Sequence, residues 1–171
     1  MTLQIFFNST TVYEARQADA FKKHFELKIK KIPFIPGCAG DYEIVEQSKK
    51  YNELFSNSII EFKSDKKSRK TKHFYMEFEQ TSNNWVTKKN SGHQLAIDKE
   101  CLLVIGVFED FYCFDKKQFD LMINSVQHEQ RTTRRNINYN KSGMGTRAWR
   151  VPVKWAAEFC NYHFTAPDMS Q

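Results

Sequence analysis

The sequence lacks several features that would assign it to a familiar class. No apolar run approaches the roughly 20 residues that span a membrane, so a membrane protein is not expected. Residues 1–8 have neither the charged head nor the long apolar stretch of a secretory signal peptide. The four cysteines form no CxxC pair, and no glycine-rich phosphate loop, nucleophile elbow or Cys/His pair is present. We therefore expect a soluble, cytoplasmic protein with free thiols and no structural zinc.

Positive charge is in excess and is clustered. Lys and Arg number 26 against 20 Asp and Glu, which gives a formal net charge of +6. Three groups of basic residues stand out: Lys66, Lys67, Arg69 and Lys70; Lys88 and Lys89; Arg134 and Arg135. A single group of this kind is more often a solvated loop, but three groups beside an acidic constellation favour binding to a phosphate backbone. We therefore predict a nucleic acid as the partner, with these residues as its backbone contacts.

Hydrophobic periodicity predicts helices and strands in one domain, residues 1–171. A helix over residues 12–30 is indicated by apolar residues at spacings of three and four: Ala18, Phe21, Phe25 and Ile29. Further helices are predicted at 91–96, 115–127 and 152–162, strands at 3–7, 41–45, 58–63, 73–80, 101–108 and 146–151, and loops at 81–92 and 130–145. The basic run 64–72 is expected to close a hairpin between its two flanking strands. The predicted fold class is α/β, with a single mixed central β-sheet flanked by helices.

Three residues form the constellation that carries the predicted chemistry. Asp41 begins a strand after a Pro-Gly turn, and Glu61 and Lys63 lie on the next apolar strand. Because side chains alternate along a strand, Glu61 and Lys63 project from one face while Phe62 points into the opposite layer. Two carboxylates and one ammonium therefore meet on a sheet surface that is followed by a basic segment.

This combination suits metal-assisted hydrolysis of a phosphodiester bond. Mg²⁺ prefers oxygen ligands, usually one or two carboxylates with water and substrate phosphate, and Asp41 and Glu61 offer two carboxylates. The metal offsets charge on the phosphate and makes a bound water more acidic, while Lys63 orients that water or stabilises charge on the phosphate. We therefore predict Mg²⁺ as the cofactor, with Mn²⁺ able to substitute.

The segments Pro36 to Asp41 and Ile60 to Lys63 resemble the signature of the PD-(D/E)XK, or restriction-endonuclease-like, nucleases. The pattern departs from the signature at Gly40, which stands directly before Asp41 in place of Pro. The segments Phe74 to Gln80 and Lys88 to Gly92 are similar to those of small phage-type members, in which a glutamate strand precedes a Lys-Pro-Ser-Gly-like turn. Asn90 stands where that turn has Pro.

The resemblance covers residues 41–108 and implies a restriction-endonuclease-like core with Mg²⁺-dependent DNA endonuclease activity. Its catalytic residues would be Asp41, Glu61 and Lys63. The first helix of that superfamily often contributes a further acidic residue, and Glu14, a carboxylate on an otherwise apolar helical stripe, is the candidate metal ligand here. Glu77 is a second candidate, either as a metal ligand or as an exposed strand residue. A phage- or virus-encoded enzyme acting in the host cell, and a homodimer, are both compatible with this interpretation.

Several alternatives stay open on the sequence alone. Glu61 and Lys63 also fit an ion pair on a sheet surface, in which case the chain is a non-catalytic nucleic-acid-binding module. An RNA endonuclease with the same metal site has no feature that separates it from the DNA enzyme. His73 and His93 are isolated and are interpreted as loop residues, and Trp85 as a packing residue that could stack on an unpaired base.

Overall fold

Two β-sheets organise the part of the chain that the computed structural model describes. That part comprises residues 2–35, 38–51, 59–65, 67–82, 85–89, 92–107, 109–129, 134–138 and 144–166. Its helices are α1 (Thr2–His24), α2 (Ser68–Thr71), α3 (Gly92–Asp98), α4 (Lys116–Glu129) and α5 (Val153–Phe159), with a 3-10 helix at Lys49–Tyr51. Its strands are β1 (Lys28–Lys31), β2 (Tyr42–Glu46), β3 (Ile59–Ser64), β4 (His73–Ser82), β5 (Trp85–Lys89), β6 (Leu102–Val107), β7 (Asp110–Phe114), β8 (Arg134–Asn138), β9 (Met144–Pro152) and β10 (Tyr162–Thr165). None of the described helices is long and apolar enough to cross a membrane.

The larger sheet has six strands in the order β1-β2-β3-β6-β7-β10. Strands β3 and β6 run parallel, and all other neighbours run antiparallel. Helices pack on both faces of this sheet, so the predicted α/β class with a mixed central sheet flanked by helices is confirmed. The second sheet, in the order β5-β4-β9-β8, is antiparallel throughout and is not part of the prediction.

One face of the six-stranded sheet is covered by helix α1. The helix places Phe21 and Phe25 in one buried cluster with Phe62 of β3 and Val104 of β6. The rings of Phe21 and Phe62 meet edge to face, with centroids 5.6 Å apart. Truncating a buried Phe to Ala typically costs about 3–5 kcal/mol, so Phe62 is a strong anchor for the strand that carries Glu61 and Lys63.

The opposite face of the sheet meets α3, α4 and the second sheet. Leu103 and Ile105 of β6 lie in the buried cluster on this side. Glu61 and Lys63 pair in register with Leu103 and Ile105, and residues in register on paired strands project to the same face. The side chains of Glu61 and Lys63 therefore project towards α3 while Phe62 projects towards α1, as the alternation predicts.

The first helix begins earlier and ends sooner than the sequence pattern indicates. The strand predicted at residues 3–7 is wrong, because α1 runs continuously from Thr2 to His24. No Pro or Gly stands between these two residues to stop a helix. The chain leaves the helix where Glu26 adopts a φ of 54°, so Ile29, expected on the helix, lies in β1 instead.

The predicted hairpin between residues 58–63 and 73–80 is also wrong. Strands β3 and β4 belong to different sheets, and α2 lies between them. The carboxylate of Asp65 fixes this connection, since it accepts the amides of Ser68 at 3.1 Å and Tyr75 at 3.4 Å. One side chain thus directs the chain away from β3 and into the start of β4.

Both polar segments predicted as loops contain an edge strand of the second sheet. Strand β5 lies within residues 81–92, and β8 lies within residues 130–145. Strand β10, beyond α5, is a further strand that the sequence pattern did not indicate. Their partners β4, β9 and β7 supply hydrogen bonds that local composition does not reveal.

Gln17 is a fully buried polar residue on the inner side of α1. Its amide nitrogen donates to the main-chain oxygen of Lys63 at 3.4 Å. The amide rests directly on Gly106 of β6, where a Cβ atom would lie 1.6 Å from Nε2 of Gln17. Within the described residues, Oε1 of Gln17 has no hydrogen-bond partner. The absence of a side chain at position 106 is therefore what lets Gln17 pack against the sheet.

Replacing Gly106 with Ala should destabilise the protein by about 1–3 kcal/mol, because the new methyl group overpacks the interface between α1 and the sheet. Urea unfolding measures this loss. Adding Gln17→Ala should recover part of the stability, since a lesser contact of 3.3 Å with Phe111 remains. Strictly additive losses in the double variant would contradict the packing described.

Candidate active site

Three short hydrogen bonds join the start of β2 to the middle of β3. The amide of Asp41 donates to the main-chain oxygen of Ile60 at 2.7 Å. The carboxylate of Asp41 accepts the amide of Phe62 at 2.7 Å, and the carboxylate of Glu61 accepts the amide of Gly40 at 2.6 Å. Each carboxylate is therefore held by the main chain of the segment that carries the other.

Gly40 directs its amide at Glu61 because it adopts a φ of +110°, which L side chains rarely adopt. A Cβ atom at this position would lie 2.4 Å from Cγ2 of Ile59, which also excludes a side chain. Pro, the residue of the family signature at this place, has no N–H to donate. The departure from the signature thus has a physical consequence, because Gly40 supplies a hydrogen bond to Glu61 that Pro could not make.

Lys63 pairs with Glu61 on the α3 side of the sheet. Its Nζ donates to Oε1 of Glu61. Burial opposes the charge on Lys63, but the carboxylates of Glu61, Asp41 and Glu14 outweigh that effect and raise the pKa of Lys63 above its ordinary value. Lys63 therefore stays protonated at neutral pH and remains oriented by Glu61.

Glu14 of α1 adds a third carboxylate to this group. Burial, and then repulsion by Asp41, raise the pKa of Glu14 from its ordinary value of 4.5 to about 7, and Glu61 adds to the effect. The pKa of Asp41 is also raised, by burial and by Glu61, against the opposing effects of the Phe62 amide and Lys63. The fold thus brings Glu14, Asp41, Glu61 and Lys63 into one electrostatic group.

The charge balance of this group fits a hydrated divalent cation. Glu61 contacts the half-buried ammonium of Lys63, the charges of Asp41 and Glu14 also act on it, and Lys31 of β1 offsets part of the repulsion among the carboxylates. Within the described ranges, no three His, Cys, Asp or Glu side chains are close enough to form a metal site among themselves. Mg²⁺ usually takes only one or two carboxylates and keeps several waters. Asp41 and Glu61, which lie on neighbouring segments, are the two carboxylates that could hold such a cation.

Glu77, the other predicted metal ligand, lies on β4 in the second sheet. Its amide donates to Nδ1 of His93 at 3.0 Å, and its side-chain carbons lie against Gly92. The pairing of β3 with β4 that would bring Glu77 beside Glu61 does not exist. A metal-binding role for Glu77 stays a prediction.

The predicted nucleic-acid contacts are distributed around the second sheet. Lys67, Arg69 and Lys70 are exposed in and beside α2, which follows β3 directly. The two remaining basic groups lie on opposite edge strands, Lys88 and Lys89 on β5 and Arg134 and Arg135 on β8. Lys66 lies outside the described residues. One basic group therefore adjoins the strand that carries Lys63, and the other two border the second sheet.

Two residues near the site are not among those predicted from the sequence. Gln17 lies one helical turn after Glu14 and donates to the main-chain oxygen of Lys63. The sequence could have identified it, because it is a second polar residue on the apolar stripe of α1. His93 lies in the first turn of α3 rather than in a loop. Its position beside Glu77 depends on long-range packing, for which the local sequence carries no signal.

Comparison of the chain with protein-family models, characterised proteins and solved structures gives no match.

Replacing Glu14 with Gln should make stability less sensitive to pH. Between pH values of 4.5 and about 7 the folded state keeps the Glu14 proton while the unfolded state has lost it. The stability contributed by this protonation is present at low pH and is lost as pH rises through the folded-state pKa of about 7. The melting temperature of Glu14→Gln, relative to the unchanged protein, should therefore rise as the pH is raised across this interval.

Glu158→Gln on α5 controls for the loss of one exposed carboxylate, because Glu158 is exposed. A melting-temperature difference for Glu14→Gln that stays constant across the pH interval would contradict the electrostatic group.

Proposed function

We propose that this protein is a Mg²⁺-dependent endonuclease that hydrolyses phosphodiester bonds in DNA. The observation that carries the proposal is the coupling of Asp41, Glu61 and Lys63 through contacts and main-chain hydrogen bonds, joined by the charge of Glu14, whose pKa is raised to about 7. Strongly perturbed groups of this kind concentrate at functional sites. An ion pair that served stability alone would need one carboxylate for Lys63 rather than three.

The same residues support membership of the PD-(D/E)XK superfamily as part of the proposal. Asp41 lies directly before β2, and the Glu61-Phe62-Lys63 motif lies in the neighbouring strand β3. Glu61 and Lys63 share one face of the sheet, as the motif requires of a carboxylate and an ammonium that act on one phosphate.

Each residue of the group has a separate role in the proposed reaction. Asp41 and Glu61 would hold Mg²⁺, with Glu14 as a further carboxylate of the same electrostatic group. The cation, when bound, supplies positive charge against the scissile phosphate and lowers the pKa of water. Lys63, oriented by Glu61, donates hydrogen bonds to the attacking water or to a phosphate oxygen. The amides of Gly40 and Phe62 hold both carboxylates in place, so little reorganisation is needed when substrate binds.

The basic groups supply the proposed contacts with the DNA backbone. Lys67 and Lys70 are exposed just beyond β3, the β-strand that carries Lys63. A DNA strand bound at the site would therefore pass close to both lysines. We propose that the protein is cytoplasmic and is encoded by a phage or virus. A homodimer would give one route to cutting both strands of a duplex.

Glu61→Gln, Asp41→Asn and Lys63→Ala should each lower cleavage of supercoiled plasmid by at least about 100-fold, the typical effect of removing one group that stabilises the transition state. Chelation with EDTA should stop cleavage by the unchanged protein, and added Mg²⁺ or Mn²⁺ should restore it. Gel analysis of nicked and linear products provides the measurement.

Glu158→Gln serves as the control variant, with circular dichroism to verify folding of each protein. Full activity in Glu61→Gln or Lys63→Ala would show that these residues do not carry the reaction.

Neutralising the basic group of α2 should reduce the salt dependence of DNA binding. Each lost phosphate contact lowers the slope of log K against log salt concentration by about 0.9, so Lys67→Gln with Lys70→Gln should lower it by up to about twice that amount. Fluorescence anisotropy of labelled duplex DNA in EDTA measures the slope. Lys117→Gln, an exposed lysine of α4 outside the three groups, is the matched control. An equal slope in both variants would exclude α2 from the interface.

A non-catalytic nucleic-acid-binding module is the second candidate function. Two observations favour it: the direct ion pair of Lys63 with Glu61, and the absence, among the described residues, of a three-ligand metal group. Isothermal titration calorimetry separates the candidates. No affinity for Mg²⁺ or Mn²⁺, together with DNA binding that is insensitive to chelation, would favour the module.

The same cleavage assay on RNA tests an RNA endonuclease.

A further inference from the structure

His93 is held in one orientation and one tautomer by strand β4. Its Nδ1 lies 3.0 Å from the amide nitrogen of Glu77. An amide can only donate, so Nδ1 is the acceptor and the ring hydrogen of the neutral form resides on Nε2. The two nitrogens are therefore distinguished by the main chain of the second sheet.

The start of α3 is packed closely against β4. Gly92 adopts a φ of +55°, and a Cβ atom there would lie 2.7 Å from Cβ of Glu77. Helix α3 also buries Ala96 and Ile97 in the cluster that contains Leu103 of β6. His93 is thus fixed between the second sheet and the face of the central sheet towards which Lys63 projects.

His93 lies on α3, the helix towards which Lys63 projects. Burial, followed by the positive charge of Lys63, lowers the pKa of His93 to about 3. The ring is therefore neutral at physiological pH. His93 as a residue keeps part of its surface exposed to solvent.

We propose that His93, through the hydrogen on Nε2, donates a hydrogen bond to a non-bridging oxygen of the same DNA phosphate that Lys63 contacts. This inference rests on the proposed endonuclease function and adds to it a neutral donor from the second sheet. A bound phosphate has several oxygens that accept hydrogen bonds at the same time. Lys63 already donates one of its hydrogen bonds to Glu61. A neutral donor adds a hydrogen bond without further repulsion of Lys63. It also gives α3 and β4 a part in substrate binding.

Two substitutions separate this role from a structural one. His93→Asn offers an acceptor near the position of Nδ1, so it can still bind the amide of Glu77, but it has no donor at the position of Nε2. His93→Gln places an amide donor near Nε2 and gives up the acceptor near Nδ1. His163→Asn, an exposed histidine on β10, is the matched control.

The experiment measures kcat and KM for cleavage of a labelled duplex with Mg²⁺, anisotropy binding of the same duplex in EDTA, and the melting temperature of each variant. His93→Asn should keep the melting temperature of the unchanged protein and lose at least about tenfold in kcat, with weaker binding in EDTA. His93→Gln should recover most of the lost kcat despite a lower melting temperature.

The opposite ranking, with activity kept in His93→Asn and lost in His93→Gln, would reduce His93 to a structural support of β4 and overturn the inference. Unchanged kcat and unchanged binding in both variants would overturn it as well. These outcomes require an unchanged protein that cleaves DNA. If that protein fails to cleave any duplex with Mg²⁺, the proposed function itself fails, and this inference fails with it.

Discussion

Two carboxylates cross between the start of β2 and the middle of β3, and each accepts a main-chain amide of the opposite segment. Asp41 binds the amide of Phe62, and Glu61 binds the amide of Gly40. Hydrogen bonds to charged groups contribute about 1.5–3 kcal/mol each, which offsets the mutual repulsion that would otherwise turn these side chains apart. Glu61 orients Lys63. The pKa of Glu14 is raised chiefly by burial and then by the charge of Asp41.

The two faces of strand β3 carry different kinds of side chain. Phe62 anchors the strand in the aromatic cluster beneath α1, and Glu61 and Lys63 project to the other side. The second sheet and α3 lie on that side, and the Glu77 amide of β4 donates a hydrogen bond to His93 of α3. The second sheet therefore matters to the site although it contributes none of its core residues. It supplies a neighbouring surface and carries two of the three basic groups on its edges.

Local pattern was enough to predict the parts of this site that depend on neighbours in sequence. The alternation of Glu61, Phe62 and Lys63 follows from strand geometry, and the polar Glu14 stands out on the apolar stripe of α1. The predicted sheet class is confirmed for the same reason, because long apolar runs such as β6 form strands buried on both faces.

The incorrect predictions share one physical cause, which is pairing or packing between distant segments. The predicted hairpin fails because Asp65 binds the amide of Tyr75 and leads the chain into another sheet. The N-terminal strand fails because no residue interrupts α1. His93 acquires its place only through the contact of α3 with β4.

Glu14, Asp41 and Glu61 repel one another, and we propose that a divalent cation relieves this repulsion. The most direct test is an NMR titration of the Glu14 side-chain carboxyl signal, assigned by its loss in Glu14→Gln, with and without Mg²⁺. Without Mg²⁺ the expected apparent pKa is about 7, and added Mg²⁺ should lower it, because the cation favours the charged form. A Glu14 that titrates at its ordinary value of 4.5, with no response to Mg²⁺, would contradict both the electrostatic group and its cation.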